Sequence, residues 1–297
     1  MKKLKLFLPI LTLLLLMGCG ENQDSQINKG TISDDLHQQF NFNEPPKRII
    51  SLAPNLTELL FELDSGNKII GNTKYCNFPD SAKNIKKVGD LLTIDVEKIV
   101  SLNPDLIFIT VEGNSKSDYE KLKDLGLKVF VSNPRSYRGI KKTLTDMSKI
   151  LGKESFADSL IKGWDVRIEK VKKTHDIIFS QTVLFLVSTN PIFTVGKNSF
   201  VNEILTFAGL INISADENNN YPMFSREEIV KRDPDYILLY QNNTNRIDDL
   251  LRSYPEWNTL KAIINKNIIY VDADLFSRPG PRFVDAVEYL NKIVLGK

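Results

Sequence analysis

The chain of 297 residues has little of what enzymes and metal receptors use: two histidines, two cysteines, two tryptophans and four methionines. His37 and His175 lie far apart in unlike settings, so neither a zinc site nor a histidine-based triad has its parts. Gly-x-Ser-x-Gly and His-Glu-x-x-His are absent, which leaves a hydrolase of this size without a recognisable nucleophile–base pair. Gly196-Lys-Asn-Ser199 has the outline of a phosphate-binding loop, but residue 191 is proline where the first glycine belongs and Asn198 follows the lysine. The shortage of histidine also counts against a zinc or manganese receptor. No enzymatic activity, metal site or resident cofactor is expected. Excess charge is lacking too. Lys+Arg number 39 against 37 Asp+Glu, and Lys2, Lys3 and Lys5 lie in the first five residues. Without those three the balance is 36 against 37, which offers no electrostatic case for binding nucleic acid. What remains is an ordinary globular composition, 42% hydrophobic and 26% charged, large enough for more than one core.

Long apolar runs are scarce as well. The clearest one, Leu6 to Met17, is broken by Pro9 and Thr12 and is shorter than the roughly 20 residues of a membrane span, so residues 1–18 read as a signal peptide. Its ending, Leu16-Met17-Gly18-Cys19, resembles a bacterial lipobox, which implies cleavage before Cys19 and a lipid on its thiol. Residues 19–45 then form the lipidated cysteine and a polar tether or extension, with acyl chains as the anchor. The expected location is extracytoplasmic and lipid-anchored to a cell membrane, in a periplasm or on the outer face of the cytoplasmic membrane. If Cys19 is acylated, Cys76 has no partner for an intramolecular disulfide. Packing explains a lone thiol more simply than a metal or an oxidant does.

Short β-branched runs alternate with helical stretches: Arg48–Leu52, Lys68–Asn72, Asp105–Thr110 and Lys128–Ser132 in the first half, Thr182–Ser188, Asp235–Tyr240 and Asn267–Asp272 in the second. Strands this apolar, separated by helix-period segments, indicate parallel sheets covered on both faces, an α/β fold. Between the halves, Ile140, Leu144, Met147 and Leu151 keep a helical stripe that Gly152 ends; Leu160, Ile161, Trp164, Ile168 and Val171 keep a second. A helix from Glu154 to Thr174 would extend about 30 Å, enough to run across two lobes. The expected organisation is an N-terminal lobe over 46–152, a bridging helix over 153–176 and a C-terminal lobe over 177–297.

The chain also repeats itself. Glu97-Lys-Ile-Val-Ser-Leu-Asn-Pro-Asp-Leu-Ile107 and Glu227-Glu-Ile-Val-Lys-Arg-Asp-Pro-Asp-Tyr-Ile237 share Glu-x-Ile-Val-x-x-x-Pro-Asp-x-Ile at an offset of 130 residues. Each copy reads as a short helix stopped before proline and followed by a buried strand, with Asp95 or Ser225 as N-cap. Glu97 and Glu227 fall in the first turn, where the helix dipole favours a carboxylate by about 0.3–1 kcal/mol. Beyond that local benefit, they would give the molecule two matched anionic points on one surface.

Pro46-Lys-Arg-Ile-Ile-Ser-Leu-Ala-Pro-Asn-Leu-Thr-Glu58, Tyr75-Cys-Asn-Phe-Pro79, Lys87-Val-Gly89, the two Glu-x-Ile-Val elements, Phe193-Thr-Val-Gly196 and Arg278-Pro-Gly-Pro-Arg-Phe-Val284 carry a resemblance. In their order and spacing, from about Thr31 to the C-terminus, the chain resembles the substrate-binding lipoproteins of ATP-binding-cassette (ABC) importers for corrinoids and ferric siderophores. The resemblance implies two Rossmann-like lobes with parallel sheets joined by one long bridging helix, the class III periplasmic-binding-protein architecture. It implies a ligand held between the lobes with little hinge closure, and a monomer that meets a permease dimer. One glutamate per lobe docks into arginine pockets of the permease in such proteins, and Glu97 and Glu227 match those positions.

The Tyr75-Cys-Asn-Phe-Pro79 segment is most similar to the cobalamin-binding branch, so the expected cargo is a cobalt corrinoid, cobalamin or a relative, with a ferric siderophore or haem as the alternative. In that branch aromatic side chains cover the corrin, and Tyr75, Phe193, Tyr221 and Phe276 fall on or near matching positions. Asn55 and Arg278 are expected to add polar contacts. The chain departs from the branch at Leu91 and near Thr110, where cobalamin receptors carry tryptophan. Arg278 and Arg282 either line the mouth of the cleft or belong to a solvated turn before the last helix.

Overall fold

Seven apolar runs become strands where the sequence places them. The computed structural model describes residues 30–90, 93–174, 181–241 and 246–296. The expectations for residues 1–29, Cys19 among them, and for Leu91 and His175 lie outside the described residues. Among the described residues no helix is long and apolar enough to cross a membrane.

In the first half β3 (Ile49–Ser51), β4 (Ile69–Asn72), β5 (Leu106–Thr110) and β6 (Val129–Ser132) form one parallel sheet in the order β4-β3-β5-β6. Every residue of β3, β5 and β6 is buried, which is why these runs carry no polar alternation. The second sheet contains β7 (Thr182–Thr189), β8 (Ile192–Thr194), β9 (Ile211–Asn212), β10 (Tyr236–Tyr240) and β11 (Ile268–Val271). Its order is β11-β10-β7-β8, with β9 also on β7; β8 is antiparallel and the other pairings are parallel. Strands β8 and β9 escape a pattern search because they have three and two residues.

Residues before Pro46 do more than tether. Strands β1 (Ile32–Ser33) and β2 (Gln39–Phe40) pair antiparallel, and Ile32 and Phe40 are buried in the main core. The Asp35 N–H donates to the Val131 carbonyl at 3.0 Å, and the Val131 N–H to Asp34 Oδ2 at 3.2 Å. The hairpin thereby covers the outer edge of β6, an edge that would otherwise present unpaired backbone groups. The packed body begins upstream of residue 46.

The 130-residue repeat is a structural repeat. Helix α2 (Val96–Ser101) leads to β5 as the helix Arg226–Arg232 leads to β10. The Asp95 carboxylate accepts from the Lys98 N–H at 3.0 Å, and the Ser225 hydroxyl from the Glu228 N–H at 3.1 Å. Asn103 and Asp233, one repeat apart, both adopt left-handed backbone, φ 46° and 42°, to leave the helix. The aspartate after each proline then pins the neighbouring strand. Asp105 Oδ2 accepts from the Lys47 and Arg48 N–H groups at 2.8 Å, and Asp235 Oδ2 from the Thr182 N–H at 2.8 Å.

Between the sheets, α4 (Tyr137–Leu151) ends at Gly152, whose φ of 66° a side chain would resist, and α5 (Glu154–Lys172) follows. Nineteen residues at 1.5 Å rise give α5 a length of about 28 Å. Trp164, Ile168 and Val171 are buried in one apolar core with Leu56 and Phe108 of the first half and Phe185 and Phe283 of the second. On its other side Arg167 pairs with Asp285 and Glu288, both at 2.6 Å, on the last helix (Phe283–Leu295). Phe283 stacks on Tyr137 at 5.0 Å between ring centres and meets Phe200 and Phe207, so it ties the first half to the second. Phe283→Ala should therefore cost about 3–5 kcal/mol of stability, read from urea unfolding; a loss below about 1 kcal/mol would show that the halves do not share this core.

Candidate functional site

Strand order determines where a site can form. From β3 the chain passes to β4 on one side and then to β5 on the other, so the carboxyl ends of β3 and β5 diverge and leave a crevice. A cleft of about 340 Å³ lies there. Ala53, Pro54 and Asn55 line it after β3, Thr110, Glu112 and Gly113 after β5, and Asn133 after β6. The opposite wall comes from the second half, through Asp274, Ser277 and Arg278.

Helix α1 (Pro54–Glu62) starts in this cleft with proline in its first turn, which needs no N–H there. Asn55, on the same turn, is buried and donates its amide to the Pro279 carbonyl at 3.0 Å. Gly280 allows that approach, since a Cβ on it would stand 3.2 Å from the Asn55 Cβ. One turn further on, Glu58 is 1% exposed and faces two arginines from the other half. Arg282 bonds it through two nitrogens, Nη2 to Oε1 at 2.7 Å and Nε to Oε2 at 2.9 Å, and Arg278 Nη1 reaches Oε1 at 3.2 Å. Burial opposes the charge on Arg282, yet the bonded Glu58 carboxylate holds its pKa above the ordinary value. Its guanidinium also lies 4.4 Å from the centre of the Phe78 ring.

Arg278 lines the cleft, but its guanidinium is already engaged. Besides Glu58 it bonds Asn77 Oδ1 at 2.7 Å, the Tyr75 carbonyl at 3.1 Å and Asp274 at 2.6 Å, and Asn77 donates to Asp274 at 2.8 Å. The Tyr75–Pro79 and Arg278–Arg282 segments, 200 residues apart in sequence, thus interlock. Arg278 thus lines the cleft, one of the two expected readings, with its guanidinium already paired, and Arg282, held by Glu58, is not part of a solvated turn.

The aromatic residues divide. Tyr75 lines the cleft with its ring half exposed. Phe193 is half buried and bridges through its backbone to Met223, and Tyr221 is exposed; neither is among the residues lining the cleft. Protein atoms crowding the Tyr221 hydroxyl, and the Glu112 carboxylate of the other half, push its pKa up. Phe276 requires a correction: it is fully buried, packed on Phe185 and Tyr289, and supports the wall without facing the cleft. A buried ring beside a functional motif reads the same in sequence as a lining one. Glu112 and Asn133 were not selected by sequence reasoning, and Thr110 only as the neighbourhood of a missing tryptophan; all three were marked by their place at or just after the ends of apolar runs.

Cys76 is buried with its sulfur 3.1 Å from the Thr57 hydroxyl and 3.2 Å from that of Thr73, a packed thiol. Glu97 and Glu227 occupy the same second helical position of the two repeat units, both exposed. Neither is within ion-pair distance of a basic side chain among the described residues. Backbone and Ser225 hydrogen bonds hold the Glu227 carboxyl below the usual range. No group of three or more His, Cys, Asp or Glu that could hold a metal occurs among the described residues.

Residues 49–275 match the family model described as periplasmic binding protein. The chain is 31% identical, over 95% of its length and 93% of the relative, to the uncharacterized ABC transporter substrate-binding lipoprotein YvrC of Bacillus subtilis (strain 168). It is 28% identical, over 82% of its length and 88% of the relative, to the vitamin B12-binding protein of Vibrio campbellii. Among solved structures, the periplasmic vitamin B12 binding protein BtuF of Vibrio cholerae superposes with a TM-score of 0.72 at 27% identity, covering 85% of this chain and 99% of that one.

Two variants test this geometry. Glu58→Ala leaves Arg282 without the carboxylate it bonds and Arg278 with Asp274 alone, and should cost about 3–5 kcal/mol in urea unfolding; a loss below about 1 kcal/mol would contradict the clasp. Burial, with Asp285 and Glu58 nearby, raises the Glu62 carboxyl above its ordinary 4.5. The folded protein therefore holds that proton to higher pH than the unfolded chain, and stability falls as pH rises through the interval between the two values. Glu62→Gln should raise the thermal midpoint at pH 7, with the gain disappearing as pH drops below about 4.5; a pH-independent difference would refute the assignment.

Proposed function

The chain belongs to the periplasmic binding protein family, and from that premise we propose that it is the extracytoplasmic substrate-binding lipoprotein of an ABC importer, with a corrinoid as cargo. The observation that carries the reading is the cleft itself. It opens at the carboxyl ends of β3 and β5, is walled by both halves, and is held by the Glu58 clasp. A site so placed binds and releases; it needs no nucleophile and no metal of its own. The corrinoid assignment draws on the likeness to vitamin B12-binding proteins and on the Tyr75 and Tyr221 rings, one from each half. Asn55 and Arg278 contribute through the backbone and side chains they hold in place. Leu91, where cobalamin receptors carry tryptophan, belongs to the same reading but lies outside the described residues.

Cys19 is the proposed anchor, and Glu97 and Glu227 are the proposed docking points for the two permease subunits. Exposed ion pairs are individually worth about 0.2–1 kcal/mol, so these glutamates set orientation and encounter rate more than affinity. The body works as a monomer and undergoes no covalent change.

Calorimetric titration of the purified protein with cobalamin, cobinamide, haem and ferric siderophores tests the cargo. Corrinoid binding is expected; heat only from haem or a siderophore would replace the assignment. Uptake by cells carrying Glu97→Ala/Glu227→Ala should fall at least about tenfold while ligand affinity stays unchanged. Undiminished uptake would remove the docking role.

A further inference from the structure

The charge around the cleft is arranged in closed pairs. Its charged lining residues are Glu112, Asp274 and Arg278. Arg278 is committed to Glu58 and Asp274, and Asp274 also accepts from Asn77. Glu112 stands apart. It follows β5, is exposed, and accepts from Arg135 Nε at 2.8 Å, with both side chains about half open to solvent at 51% and 53%. The same Nε lies 3.0 Å from Oδ1 of Asn133, another lining residue. Arg135 thus bonds two lining residues, Glu112 and Asn133, through one nitrogen.

We infer that Glu112 is a charge-selecting residue: by masking Arg135 it makes the cleft a receptor for neutral or cationic, amide-bearing ligands and excludes polyanionic ferric chelates. This rests on the reading of the cleft as the cargo site. The physical argument is one of discrimination by repulsion. An anion drawn from the cleft toward Arg135 meets Glu112, whose carboxylate stays on the guanidinium as a like charge beside it. A neutral macrocycle fringed with amides meets no such opposition. It can donate to Glu112 and Asn133 while the ion pair stays closed. A cation gains from the carboxylate outright. The pair is exposed and its net strength small, so its effect on fold stability is minor and its effect on ligand choice falls with ionic strength.

The test uses the full chain, purified in detergent, and four probes: cyanocobalamin, which is neutral; diaquacobinamide and a ferric trihydroxamate of the ferrioxamine type, both cationic; and a ferric tris-catecholate, a trianion. Wild type should bind the neutral and cationic probes at least about tenfold more tightly than the trianion at low salt. Glu112→Gln should tighten the trianion about five- to tenfold, in a salt-dependent way, and leave cyanocobalamin within about twofold. Adding Arg135→Gln should abolish that gain. A wild type that binds the trianion as tightly as the neutral probe, or a Glu112→Gln variant that shifts all probes equally, would overturn the inference. The cargo reading fails separately. If neither corrinoid binds but the cationic trihydroxamate does, and Glu112→Gln still admits the trianion, then the cargo is not a corrinoid and the charge selection stands.

Discussion

The structure depends on one buried carboxylate. Glu58 lies on the first helix of one half and is closed off by Arg278 and Arg282 of the other. Removing three charges from water is costly, and the cost is offset only when geometry and further hydrogen bonds are satisfied together. Here they are: Arg282 bonds both carboxylate oxygens, and Arg278 adds Asn77, Asp274 and the Tyr75 carbonyl. Everything near the cleft refers to this point. Asn55 is one turn upstream on the same helix, Gly280 lies between the two arginines, and Phe283, which stacks on Tyr137, follows directly. The two halves are therefore joined through a polar clasp in front and a shared apolar core behind. Under the proposed function, a ligand meets walls already in position, and little of its binding energy goes into ordering them.

The second organising feature is the repeat. Each half turns the same sequence into the same unit: an N-capped helix with a glutamate in its first turn, a left-handed exit residue, and a proline-aspartate step whose carboxylate pins the start of the adjacent strand. The unit is needed for folding, because a parallel strand has to be held in register with a neighbour that is distant in sequence. It also presents one exposed glutamate per half as a by-product of construction. The proposed docking surface requires no additional element, and its spacing is fixed by the clasp and core that fix the halves.

Much of this was legible in the sequence, and the reasons are specific. Runs such as Leu106–Thr110 are buried on both faces, so composition alone marks them; Gly152 and the α5 stripe are equally local signals. The pieces that escaped are those whose meaning depends on distant partners. Nothing around Glu58 announces two arginines 220 and 224 residues away. Phe276 looked like a lining ring because an aromatic residue beside a functional motif has the same appearance whether it faces the ligand or props the wall. The hairpin before Pro46 is mostly polar, and it becomes structure only through the edge of β6. Thr110, Glu112 and Asn133 could have been chosen from topology, since ligands gather where parallel strands end and diverge.

The central claim is that a cleft preformed between two clasped halves receives the cargo. A crystal structure of the protein bound to a corrinoid tests it most directly. The account predicts the macrocycle seated at the carboxyl ends of β3 and β5, against Tyr75 and Thr110, with Arg278 and Arg282 still on Glu58 and the halves in their present relation. A ligand bound elsewhere on the surface, or halves rotated apart with the clasp open, would contradict it.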